Sequence, residues 1–163
     1  MKELIGVLEQ QLRVYSELLE IAQSKRPVII RNETNALEEM VGREKECLAK
    51  ISALEKNRVE CVKQAAQQFG VSEESVTLSF LTEKAERAHA IRLNDIGQKI
   101  RKVVNSIRES NDINSKLLET SLHYIDFMMN FAASTEQISN IYAKGGDQLD
   151  TKATTLGLFD KQI

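Results

Sequence analysis

Two histidines and two cysteines are the whole stock of nucleophilic, basic or metal-seeking side chains in this 163-residue chain, apart from carboxylates, amines and hydroxyls. Glu86 and His89 make one Glu-x-x-His step, which places both groups on one face of a helix. Di-metal helical bundles use that step twice and add two further inward glutamates. The second step is missing, because Thr120 stands three residues before His123. His89 therefore reads as a solvent-facing or edge residue. Ser121 and His123 are two apart, so on a helix they point to different faces, and no third group completes a triad. His123, next to Tyr124, reads as packing or surface polarity. Cys47 and Cys61 fall on one expected helix, where a rise of ~1.5 Å per residue separates them by roughly 21 Å. A disulfide needs Cα atoms within about 7 Å, and a shared metal fails on the same distance. Both cysteines read as small buried hydrophobes. No glycine-rich phosphate loop occurs. The residues point to no enzyme, no cofactor and no metal.

The elements that carry these residues are helices. One proline, no tryptophan and 5% aromatics suit helices packed through a leucine-and-isoleucine seam. Between Leu93 and Tyr142 rungs recur at steps of three and four: Leu93, Ile96, Ile100, Val103, Ile107, Ser110, Asn114, Leu117, Ser121, Tyr124, Met128, Phe131, Thr135, Ile138, Tyr142. Such spacing puts them on one face of a single long helix. Ser110 and Asn114 break the seam with polar groups, the device that fixes register in coiled coils.

The expected fold is all-α: an elongated antiparallel three-helix coiled-coil-like bundle over 1–146, with a flexible tail over 147–163. Helices are expected at about 1–25, 34–69, a short 73–80, and 82–143. The first seam is Met1, Ile5, Leu8, Leu12, Tyr15, Leu19 and Ala22, widened by Leu4, Leu18 and Ile21. Pro27 marks its end, since the residue before a proline leaves the helical region. Asn35 with Glu38 resembles a capping box for the second helix. Its seam repeats through Met40, Cys47, Leu54 and Cys61, with Glu44 and Arg58 at its edge, stems packed and charges in water. Gly70 suits a left-handed C′ position, with Val71 apolar beyond it. Ser72 suits a new N-cap. Gly97 is the expected bend in the long helix, and Gly145-Gly146 its end.

The last helix is much longer than the first, so part of its seam lacks a partner, and an exposed apolar seam invites association. A net charge of −2 without a basic block argues against nucleic acid. No run of eighteen apolar residues exists to span a membrane. The N-terminus lacks a signal-peptide core. A cytoplasmic protein is expected, monomeric or weakly dimeric.

The stretch Asn111-Asp112-Ile113-Asn114-Ser115-Lys116-Leu117-Leu118, followed by Ser121-Leu122-His123-Tyr124, resembles the signature of the FlgN family of flagellar type III export chaperones. Tyr15 with Leu18-Leu19, Leu54-Glu55-x-x-Arg58, Phe69-Gly70, and the closing Leu158-Phe159-Asp160-Lys161 occur in the matching order. The resemblance marks Asn111, Asn114, Leu117, Leu118 and Tyr124 as signature residues with register and core roles. It implies a cytoplasmic chaperone that shields C-terminal helical segments of hook–filament junction proteins and delivers them to the flagellar export apparatus, without chemistry. The expected client face is Ile125, Met128, Met129, Phe131, Ile138 and Tyr142. Adjacent methionines suit an adaptable grip on another helix. The alternative is a structural coiled-coil protein that only self-associates.

Overall fold

A computed structural model describes the backbone of residues 1–144 and the side chains of residues 1–132. The described residues hold four α-helices and one 3₁₀ turn, with no strand among them: α1 (Lys2–Ile30), α2 (Thr34–Phe69), the 3₁₀ turn (Glu73–Ser75), α3 (Leu78–Lys84) and α4 (Arg87–Lys144). The expected tail falls outside the described residues. The chain divides into two compact units, Met1–Leu122 and His123–Ile163.

Helix α1 continues through Pro27 to Ile30, past the stop expected at Arg26. A proline inside a helix costs about 3 kcal/mol. Val28 and Ile29 are buried on the far side of it, and each such burial contributes roughly 1.5–3 kcal/mol, so packing outweighs the break. The helix closes in a Schellman pattern. Glu33 N donates to Val28 O and Asn32 N to Ile29 O, both at 3.1 Å, with Asn32 at φ 53°. This tight turn lets α2 begin at Thr34, so the capping box at Asn35 does not form, and no side chain caps α2. Gly70 closes α2 at φ 65°, with Val71 N bonded to Ala66 O, the left-handed end that glycine permits.

After Gly70 the sequence expectation fails in detail. Ser72 starts a 3₁₀ turn and not a helix over 73–80. Thr77 is the working cap, its hydroxyl accepting from Phe80 N at 3.2 Å. Ala85 is extended, which separates α3 from α4 in place of a bend near Thr82. The helical run of α4 is uninterrupted at Gly97. A Cβ there would stand 2.5 Å from Leu78 Cδ2, so the glycine admits α3 against α4.

Within the first unit the paired side chains set the helix directions. Gln11–Glu55, Glu17–Lys50 and Lys25–Glu44 run in opposite order, so α1 and α2 are antiparallel. Glu9–Arg92 and Ala22–Asn114 run in the same order, so α1 and α4 are parallel. The core comes in two apolar clusters. Leu4, Ile5, Ala66, Val76, Leu81, Leu93 and Ile96 form the first; Leu18, Ile21, Cys47 and Ile107 form the second. The buried face of α1 runs through Leu4, Gln11, Leu18 and Ala22, leaving Leu12 and Leu19, rungs of the expected seam, only half-buried.

Candidate functional site

The groups that could do chemistry are dispersed. His89 Nδ1 lies 3.8 Å from Glu86 Oε2, with Glu86 largely in solvent. No group of three or more His, Cys, Asp or Glu that could hold a metal occurs among the described residues. Cys47 is buried and Cys61 half-buried, both free, and burial pushes both thiols up.

Polar side chains instead form layers in the bundle. Between the two apolar clusters, buried Gln11 donates to Glu55 Oε2 at 3.1 Å, and Arg58 grips both oxygens of Glu55 at 2.8 and 2.6 Å. Those Arg58 hydrogen bonds, together with the one from Gln11, hold the Glu55 carboxyl below its ordinary range. A cavity of about 290 Å³ adjoins this layer, lined also by Tyr15, Leu78 and Ile100. Sequence pattern places Glu55 and Arg58 near the seam but passes over Gln11, because a single glutamine carries no apolar signal.

The second layer is the signature. Asn114 and Ser110 are buried, and Asn114 Nδ2 donates to Ala22 O at 2.7 Å. Asn114 Oδ1 is buried without a protein partner. Leu117 is half-buried, whereas Asn111, Leu118 and Tyr124 are exposed and hold no place in the core. Asn111 and Leu118 are exposed although both lie before the end of α1. Both helices rise equally per residue, so eight residues beyond the Ala22–Asn114 pairing the last residue of α1, Ile30, falls opposite about Leu122. Leu122 is the last residue of the first unit and is exposed.

Replacing Asn114 by Leu is expected to raise stability by about 1–2 kcal/mol. It removes an unpaired buried oxygen, while Ala22 O keeps its place as a helical acceptor within α1. A polar seam residue of this kind trades stability for register. Thermal unfolding of Asn114→Leu checks this, and a lowered midpoint counts against it.

In the second unit α4 presents Tyr124, Ile125, Phe127, Met128, Met129 and Phe131, each between 44% and 66% exposed. Phe127 and Phe131 stack at 6.4 Å with 19° between their planes. Ile125, Met128, Met129 and Phe131 are thus brought together on the surface. The side chains of Ile138 and Tyr142 lie outside the described residues. Phe127 is absent from the expected client face; its four-residue spacing from Phe131 was the available signal. No helix among the described residues is long and apolar enough to cross a membrane.

A family model described as FlgN protein matches residues 1–149. Comparison with curated proteins and with solved structures gives no match. The match takes in both polar layers and the exposed stretch of α4. The chain belongs to the FlgN family, the flagellar export chaperones.

Proposed function

We propose that this chaperone binds the C-terminal helical segments of hook–filament junction proteins, shields them in the cytoplasm, and hands them to the flagellar export apparatus. The observation that supports this reading is the group of exposed apolar side chains at Ile125, Met128, Met129 and Phe131. With Ile138 and Tyr142, these are the proposed client contacts. Exposed apolar area of this kind is costly in a monomer and marks an interaction surface. The long helices serve as an antiparallel three-helix coiled-coil-like bundle, and the register is set by Asn114. The free protein is a monomer or weak dimer.

Titration calorimetry with a junction-protein C-terminal segment tests the proposal. A tight one-to-one complex is expected, weakened at least tenfold by Met128→Ala combined with Phe131→Ala. Unchanged affinity in a well-folded double variant would sink the placement of the site. A stable homo-oligomer indifferent to the segment would favour the alternative, a self-associating coiled-coil protein.

A further inference from the structure

The cavity beside the Gln11–Glu55–Arg58 layer has a chemical direction. Its inner wall is apolar: Leu4, Val76 and Leu81 are buried, and Leu8, Leu78 and Ile100 are half-buried. Leu78 reaches this wall because Gly97 lets α3 approach α4 closely. Tyr15 and the Gln11–Glu55–Arg58 group supply the polar lining. Arg101 alone among the lining residues is exposed, so it marks the mouth. The charged lining residues are Glu55, Arg58 and Arg101. Glu55 and Arg58 cancel, because Arg58 grips both carboxylate oxygens and its bonds keep that carboxyl ionised. Arg101 has no ion-pair partner among the described residues. The cavity therefore carries one uncompensated positive charge, at its mouth, over an apolar interior.

We propose that this cavity binds a small apolar-bodied monocarboxylate, with its hydrocarbon against Leu4, Leu81 and Ile100 and its carboxylate at Arg101. Binding sites of this kind are concave, mostly apolar, and oriented by a few polar groups. The volume sets the size of the ligand. A cavity of about 150 Å³ holds benzene, so one of about 290 Å³ suits roughly ten to twelve non-hydrogen atoms. The charge sets its sign. The planar fork of Arg101 matches a carboxylate, which it can hold by two parallel hydrogen bonds. A cationic ligand is repelled at the mouth, and both oxygens of Glu55 are already taken by Arg58. The site uses none of the proposed client contacts.

Octanoate is the probe, and octylamine is its cationic counterpart. Full-length protein labelled at leucine, isoleucine and methionine methyl groups is titrated with each and followed by NMR. Methyls of Leu8, Leu78 and Ile100 report the cavity, and those of Ile125 and Met128 report the exposed surface of α4. Octanoate is expected to give saturable shifts at the cavity methyls, and octylamine to bind there about tenfold more weakly or not at all. Arg101→Gln changes an exposed position, and far-UV circular dichroism verifies its fold. It is expected to weaken octanoate about tenfold, and Arg101→Lys, which keeps the charge without the fork, only about threefold. Shifts confined to Ile125 and Met128, or no saturable shift at any methyl, would overturn the proposal. Equal binding of octylamine, or undiminished affinity in Arg101→Gln, would overturn it as well. Each of these results leaves the client reading to its own calorimetric test.

Discussion

An aspartate at position 128 is expected to weaken the complex with a junction-protein C-terminal segment by about 100-fold, which corresponds to about 2.7 kcal/mol. Met128 is the least exposed, at 44%, of the six apolar side chains that α4 presents from Tyr124 to Phe131. A carboxylate placed there is buried under the client with no counter-ion from this chain, because those six side chains carry no charge and the nearest ionic group in sequence, Asp126, has the same sign. Burial of an unpaired charge costs several kcal/mol, part of which is recovered by tilting toward water. The free protein is barely affected. Met128 is exposed, and surface changes on a helix stay within about 0.5 kcal/mol. Asn130→Asp adds the same charge on the side of α4 that carries Asp126, and is expected to leave affinity within about threefold, or ~0.65 kcal/mol. Calorimetry on both variants decides the matter; equal losses would show that net charge, and not the apolar surface, governs binding.

The largest loss of stability is expected from Leu93→Ala. Leu93 is 0% exposed, among the largest fully buried side chains, and part of the apolar cluster that joins α1, α2, α3 and α4. Truncation of a buried leucine costs about 2–5 kcal/mol, depending on how far the site collapses. For a unit of this size that is a fall of roughly 10–20 °C in the unfolding midpoint. Leu48→Ala, at a position 55% exposed on α2, is the matched control and is expected to shift the midpoint by less than about 2 °C. Similar losses at the two positions would mean that the buried cluster does not hold the unit together.

Much of this was legible in the residues. The three-and-four spacing locates the long helices, and Gly70 with Val71 marks the end of α2 because few residues tolerate that backbone. Asn114 stands out as a polar rung on an apolar ladder, and the packing shows why it is there. The failures have physical causes. Pro27 reads as a stop because its local cost is visible, whereas the burial of Val28 and Ile29 that offsets it depends on helices far away in sequence. Ser72 and Thr77 are both capable caps, and the choice between them follows from the burial of Val76. Gly97 looks like a weak point in a helix until Leu78 is seen against it. The exposed apolar group on α4 extends beyond the seam ladder to Phe127, which a search along one seam passes over.

The pairing of α1 with α4 also bears on how the protein is made. The α1–α2 hairpin is complete once Phe69 has been synthesised, but Asn114, which meets Ala22, comes about 45 residues later. At translation rates of about 5–20 residues per second, this is a delay of roughly 2–9 s. For the first half of that interval, roughly 1–5 s, Leu4 and Ile5 wait for Leu93 and Ile96, and their faces are open to water. The nascent chain thus passes through a state with a bare apolar helix face while still on the ribosome, and aggregation at that stage competes with completion of the bundle.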